Sequence, residues 1–108
     1  MTTQLSLPIT ERMVCSLSMN KDFELDSQGM TFLGLVSDID GQYGEIHVFA
    51  DFPEKLTDGM AYFSDQPLMA TYSENNLCQW MRDGHAFLGV TECHNKLVYL
   101  FVPNSIVD

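Results

Sequence analysis

Basic residues are scarce in this chain. It has five Lys and Arg against fifteen Asp and Glu, which gives a formal net charge of −10 at pH 7. Proteins bind nucleic acids and anionic membrane surfaces largely by neutralising negative charge, so the composition argues against direct binding of either. A chain of this charge attracts basic proteins instead, and we expect its partner to be one.

Long apolar runs are also missing. The longest covers six residues, 97–102, far short of the roughly 20 that a membrane helix needs. The first residues, MTTQLSLPITER, contain no basic segment ahead of an apolar stretch, so no secretory signal is predicted. We therefore predict a cytoplasmic protein with a single compact domain over 1–108, in which 1–10 form a loose lead-in.

Cysteine is too sparse for a disulfide framework or a zinc site. Cys15, Cys78 and Cys93 are widely separated, no C-x-x-C occurs, and the three histidines do not supply zinc-type spacing. We predict three reduced thiols, mostly buried, with no metal and no cofactor.

Catalytic motifs are likewise absent. There is no G-x-S-x-G, no H-E-x-x-H and no glycine loop that would cradle a phosphate. Cys93 and His94 are adjacent, but neighbours on a strand point to opposite faces and converge only within a turn. Enzymatic activity is therefore left uncertain, with a non-enzymatic protein favoured and no catalytic residue assigned.

The strongest structural signal is the stretch GHAFLGVTECHNKLVYLFV, residues 84–102. Alternating apolar residues at 86–91 and a continuous apolar run at 97–102 predict two strands of a hairpin. Asn95 tolerates the left-handed backbone of a short loop, and Pro103, which has no amide hydrogen, should end the second strand. This hairpin is expected to be the scaffold of the sheet.

Earlier segments predict further strands. Alternation at 13–19 favours a strand over the rival helix, followed by a turn at 20–22 and a short extended continuation at 23–25. Residues 30–36 and 45–52 predict a second hairpin, in which Ile46, Val48, Ala50 and Phe52 share one face.

The segment 53–59 is expected to interrupt the sheet, with a helical turn as one option. The short apolar pieces 60–63 and 68–72 are either two strands or one strand preceded by a loop. Ser73 and Gly84 are a suitable N-cap and C-terminal cap for a helix over 74–83.

Within that helix, Leu77, Trp80 and Met81 fall on one face and are predicted to pack on the sheet. No internal repeat and no linker is visible. The fold class predicted is α+β: a mostly antiparallel sheet of about five to six strands with one main helix packed on it.

One loop has a metal-like pattern. Asp38-x-Asp40-Gly41, followed by Glu45, places acids near the start of a calcium-type loop. Gln42 stands at the third acidic position and Glu45 comes too early for the distal bidentate ligand. A solvated hairpin turn is therefore the favoured interpretation.

The acids are unevenly distributed. Between Asp22 and Asp65 there are ten acids and one base, Lys55. Phe49 shares a strand face with His47 and Asp51, where it is either an aromatic anchor among carboxylates or covered by a second layer. The predicted partner-binding residues are Asp38, Asp40, Tyr43, Glu45, His47, Phe49, Asp51, Glu54, Asp58 and Asp65.

These observations favour a non-enzymatic acidic protein that docks on a basic partner. Immunity proteins, antitoxins and phage-type inhibitors that neutralise a nuclease or another nucleic-acid-handling protein are the expected class. The alternative is a small-ligand-binding or enzymatic domain with a pocket between the Trp80 helix and the sheet. A homodimer that pairs through an edge strand is a third option.

Overall fold

The described part of the chain contains six strands and three short helices. The computed structural model describes residues 7–39, 42–57, 60–63, 68–93 and 95–107, with side chains described except at 37–39, 42–45 and 106–107. The elements are β1 (Met13–Ser16), α1 (Met19–Ser27), β2 (Thr31–Ile39), β3 (Gln42–Ala50), β4 (Leu68–Thr71), a 3-10 turn (Glu74–Asn76), α2 (Leu77–Arg82), β5 (His85–Cys93), β6 (Lys96–Pro103) and α3 (Asn104–Val107).

The strands form one curled, mixed sheet in the order β1-β3-β2-β4-β6-β5. Four neighbouring pairs are antiparallel, and β2 with β4 is parallel. The α+β class and the mostly antiparallel sheet are confirmed. No helix in the described part of the chain is long and apolar enough to span a membrane.

Both predicted hairpins are present. β2 pairs with β3, and β5 pairs with β6 as far as Pro103, where the strand ends as predicted. Asn95 has a φ of 64°, the left-handed conformation expected of the loop. Ile46, Val48 and the other predicted core residues of β3 are buried inside the curl of the sheet.

Helix α1 corrects the prediction of a turn and an extended continuation over 20–25. The Ser18 side chain accepts a hydrogen bond from the Lys21 amide and caps the helix. Within α1 only Leu25 is buried, while Met19 and Phe23 are exposed. The helix therefore has no continuous apolar face, and its sequence shows little of the period that identifies helices.

The predicted helix over 74–83 is confirmed in a shorter form, as a 3-10 turn that leads into α2. Ser73 makes no side-chain capping bond; instead the Ser73 amide and the Asn76 side chain both donate to the hydroxyl of Thr71. Gly84 has a φ of 94°, as the predicted cap requires. Met81 is exposed, which corrects its predicted packing on the sheet.

Between β3 and β4 the chain forms no regular element among its described residues. No helical turn is present at 53–57, and 60–63 is irregular, so one strand preceded by a loop is the correct alternative. The amides of Tyr62 and Phe63 nevertheless donate to the carbonyls of Phe32 and Leu33, which fixes this loop against β2.

The structure contains an internal repeat, which corrects the expectation of none. An N-terminal unit (β1, α1, β2 and β3) and a C-terminal unit (β4, the 3-10 turn, α2, β5 and β6) have the same order of elements and the same strand arrangement. Residues 55 positions apart correspond: Met13–Ser16 with Leu68–Thr71, and Phe32-Leu33-Gly34 with Phe87-Leu88-Gly89. The two units are copies of one β-α-β-β framework.

Two corresponding glycines let the units approach each other. A Cβ at Gly34 would lie 3.3 Å from Leu68, the first residue of β4. A Cβ at Gly89 would lie 2.5 Å from the Cε of Met13, the first residue of β1. Each glycine therefore makes room for the strand that begins the other unit.

The sheet curls until its outermost strands meet. The Ile9 amide donates to the Leu88 carbonyl, and the Thr91 hydroxyl donates to the Met13 carbonyl at 3.0 Å. Thr91 corresponds to Val36, and Met13 corresponds to Leu68. The contact of Thr91 with Met13 is therefore the counterpart of the Val36–Leu68 pair between β2 and β4. The main core fills the inside of the curl with Leu33, Val36, Ile46, Val48, Leu88, Val98, Leu100, Val102 and their neighbours.

Candidate functional site

The outer surface of the N-terminal unit is covered by α1. A second apolar cluster, formed by Leu25, Met30 and Phe49, lies between the helix and the strands. Phe49 is 4% exposed and its ring lies 5.2 Å from that of Phe32. Of the two alternatives for the face of Phe49, the covering second layer is the correct one, and Phe49 is not available as a surface anchor.

A polar pair joins α1 to the sheet beside this cluster. His47 Nδ1 lies 2.7 Å from the Oδ2 of Asp22, and the His47 ring packs on Phe32 with centroids 5.2 Å apart. The second carboxylate oxygen of Asp22 is buried, with no hydrogen-bond partner among the described residues. His47 is thus a support for α1 rather than a freely exposed side chain.

The outward face of α1 carries large apolar side chains. Met19 is 72% exposed and Phe23 is 66% exposed, and the two lie one helical turn apart. Leu17, just before the helix, is also more than half exposed. We call Leu17, Met19 and Phe23 the exposed stripe.

Carboxylates surround the exposed stripe. Around α1 and the 51–57 segment there are five acids and two bases, which are Asp22, Glu24, Asp26, Asp51, Glu54, Lys21 and Lys55. Lys21 pairs with Glu24 at 3.6 Å, and Lys55 pairs with Asp26 and fixes the 53–57 segment beside the helix. Such exposed pairs contribute little stability, so the carboxylates mainly set the potential of this surface.

The internal repeat shows that the fold does not require this stripe. The corresponding positions in the C-terminal unit hold Tyr72, Glu74 and Cys78, and Asp22 corresponds to Leu77. That unit forms the same framework with these residues. Large exposed apolar side chains at these particular positions therefore occur in the N-terminal unit and not in its counterpart, which makes the α1 face the candidate binding site.

The predicted site residues are distributed unevenly over the structure. Asp51 and Glu54 are exposed, and Glu54 directly precedes Lys55, which pairs with Asp26 of α1. Asp40, Asp58 and Asp65 lie outside the described residues, as does the proposed turn at 40–41. The side chains of three more also lie outside the described part: Asp38, Tyr43 and Glu45.

Sequence reasoning missed Met19, Phe23, Glu24 and Asp26. The signal that identifies them is the serine N-cap at Ser18 together with the four-residue separation of Met19 and Phe23.

No catalytic arrangement is formed by the groups nearest to His47. Ser16 pairs with His47 across β1 and β3, which brings together serine, histidine and aspartate. However, Ser16 is buried and its hydroxyl donates to the Ser18 carbonyl at 2.9 Å. A serine nucleophile is activated by a hydrogen bond to its base, and the Ser16 hydroxyl is bonded to this carbonyl rather than to His47, so this trio serves to hold α1 in place.

The other candidate sites are also accounted for. Within the described residues, no group of three or more potential ligands could hold a metal ion. Trp80 lies directly on the sheet, with its ring 4.9 Å from Phe101 and 6.0 Å from His85. His94 lies outside the described residues, and Cys93 is buried.

Comparisons with protein-family models, curated proteins and solved structures find no match for this chain.

Proposed function

We propose that this chain is a non-enzymatic binding protein whose α1 face docks on a basic protein. The observation that carries the proposal is the exposed stripe, in which Met19 and Phe23 are mostly exposed among carboxylates. An aromatic side chain that is desolvated on binding supplies affinity, and the surrounding charge steers the partner and accelerates association.

The proposed partner is a nuclease or another nucleic-acid-handling protein. Such proteins present basic surfaces to phosphates, and the net charge of −10 suits a competitor for those surfaces. Asp26 lies on α1, three residues after Phe23, and the Lys55–Asp26 pair holds beside the helix the segment that carries Asp51 and Glu54. These three carboxylates are the proposed contacts with the partner. They would occupy positions that substrate phosphates otherwise take, as expected of an immunity protein, antitoxin or phage-type inhibitor.

The first test measures inhibition directly. Purified protein is titrated into a panel of basic nucleases, and cleavage of DNA or RNA is followed at low and at physiological salt. For a nuclease that is inhibited, Phe23→Ala should weaken binding by roughly 30-fold or more. Leu97→Ala is the matched control, because Leu97 is also exposed but lies in the C-terminal unit.

Charge-reversal variants test whether the acids act by speeding association with the partner through long-range attraction. Asp51→Lys with Glu54→Lys should slow association roughly tenfold at low salt and much less at high salt. Glu92→Lys, an exposed acid on the β5–β6 hairpin, should leave association nearly unchanged. Equal effects of Phe23→Ala and Leu97→Ala, or binding that is insensitive to salt, would contradict the proposal.

A further inference from the structure

Two cysteines meet where the sheet closes. Cys15 lies on β1 and Cys93 on β5, and both side chains point into the curl of the sheet. The Cys15 sulfur lies 4.0 Å from the Thr91 hydroxyl oxygen, and Thr91 is two residues from Cys93 on the same face of β5. The Thr91 hydroxyl donates to the Met13 carbonyl, and Cys15 and Cys93 each lie two residues further along their strands, so the two cysteines lie side by side.

The fold does not require this thiol pair. The counterpart of the β1–β5 contact is the parallel pairing of β2 with β4, where Ala70 pairs with Ile39. Ala70 corresponds to Cys15, so the same framework closes there with an alanine. The β1–β5 contact is held by hydrogen bonds of the Thr91 hydroxyl and the Ile9 amide. A bond between the two thiols would join the same two strands covalently.

The two thiols differ in acidity. Hydrogen bonding to Cys93, together with burial, raises the pKa of Cys15, and the hydrogen bond from Cys15 lowers the pKa of Cys93. Cys93 therefore ionises first, while Cys15 keeps its proton. Because the thiolate is the reactive form of cysteine, Cys93 is the nucleophile of the pair and Cys15 the resolving thiol.

We propose that Cys15 and Cys93 are a peroxide-sensitive pair that forms a reversible disulfide joining β1 to β5. Cys93 is 3% exposed, so peroxide reaches it when the edge strands β1 and β5 separate transiently. In the first step the Cys93 thiolate attacks a peroxide oxygen: an S–O bond forms, the O–O bond breaks, and the departing hydroxide takes a proton to become water. In the second step the Cys15 sulfur attacks Cys93: the S–S bond forms, the S–O bond breaks, and the departing hydroxide leaves as water with the Cys15 proton. Two thiols are oxidised and one hydrogen peroxide is reduced to two waters.

The test uses the full chain with Cys78→Ser, because Cys78 is exposed and would form disulfides between molecules. Hydrogen peroxide is added in stoichiometric amounts, and the protein is analysed by intact mass and peptide mapping without reductant. We expect a loss of about two mass units, a cross-linked peptide containing Cys15 and Cys93, and a melting temperature higher by about 5 °C or more. A dithiol reductant should reverse all three changes.

Two variants keep the test decisive. Cys15→Ala should fold, since alanine occupies the corresponding position 70, and its Cys93 should accumulate as a sulfenic acid that a dimedone-type reagent traps. Cys93→Ala should give neither product. The rate of disulfide formation in the parent should also rise with pH and level off at a lower pH than for an ordinary cysteine.

Three results would overturn the proposal. The first is oxygen addition at Cys93 in the parent without a cross-link, which would place the thiols too far apart. The second is that both thiols stay reduced under peroxide that oxidises Cys78 in the unmodified chain. The third is a cross-link that forms only between molecules.

Discussion

The two units of this protein share a framework and differ in what they present to solvent. In each, a helix covers a pair of stacked phenylalanines on the outer face of three strands. The ring centroids lie 5.2 Å apart for Phe32 and Phe49, and 5.6 Å apart for Phe87 and Phe101. The repeated features therefore identify what the fold needs, and the differences identify what is left for function.

The helices show this division most clearly. Leu25 of α1 and Trp80 of α2 occupy corresponding positions and both lie over the phenylalanine pair. Two residues before each of them, the N-terminal unit exposes Phe23 and the C-terminal unit exposes Cys78. The inward position is apolar in both units because it fills a layer, whereas the outward one is not constrained by packing.

The largest expected effect tests which side of α1 serves the fold. Leu25 is 2% exposed, so Leu25→Ala should lower the free energy of unfolding by about 3 to 4 kcal/mol through lost burial and a residual cavity. Phe23→Ala should change it by less than about 0.5 kcal/mol. Urea unfolding followed by circular dichroism measures both. If the two substitutions cost the same, α1 does not pack as described.

The next effect tests the two glycines at which the units meet. Gly89 has a φ of 148°, and a Cβ there would overlap Met13 and approach the Ile9 carbonyl oxygen at 3.2 Å. Gly89→Ala should therefore cost about 2 to 3 kcal/mol. The Met13 Cε can move but the Ile9 backbone oxygen is fixed, whereas at Gly34, with a φ of 159°, the nearest atoms all belong to the Leu68 side chain. Gly34→Ala should therefore cost about 1 kcal/mol. Thermal unfolding of the two variants shows which substitution costs more stability. A larger cost for Gly34→Ala would contradict the expected ranking.

The smallest effect compares the two helix starts. The Ser18 hydroxyl accepts the Lys21 amide at 3.2 Å, so Ser18→Ala should cost about 1 kcal/mol, a fall of roughly 4 to 8 °C in melting temperature. The corresponding Ser73 makes no such bond, and Ser73→Ala should cost much less. Differential scanning calorimetry resolves this difference. Equal costs would mean that Ser73 caps its helix in solution.

Much of the C-terminal unit was predictable from its sequence. Alternation at 86–91, the continuous apolar run at 97–102 and the glycine that ends α2 are local signals, and the strands and helix form close to where they indicate. The N-terminal helix was not predictable in this way. Only Leu25 of its nine residues is buried, so a pattern that identifies helices by their apolar face has little to detect.

The candidate site was predicted only in its charge. Sequence reasoning found the acids concentrated between Asp22 and Asp65, and Asp51 and Glu54 of this span are exposed in the structure. It included Phe49 among the binding residues and left open whether a second layer covers it, because strand alternation gives the face of a side chain but not what covers that face. With α1 over β3, Phe49 is buried and Phe23 is the exposed aromatic residue.

The sequence by itself determined the acidic charge, the two hairpins and the absence of recognisable catalytic motifs, because composition and local periodicity are properties of neighbouring residues. Only the tertiary structure showed that the chain contains a repeat. Few residues are identical between the two units, and the repeat becomes clear when their strand order and the positions of their glycines are compared. Only the curl of the sheet brings Cys15 to Cys93. Contacts between residues far apart in the chain depend on strand order and closure, which local patterns do not specify.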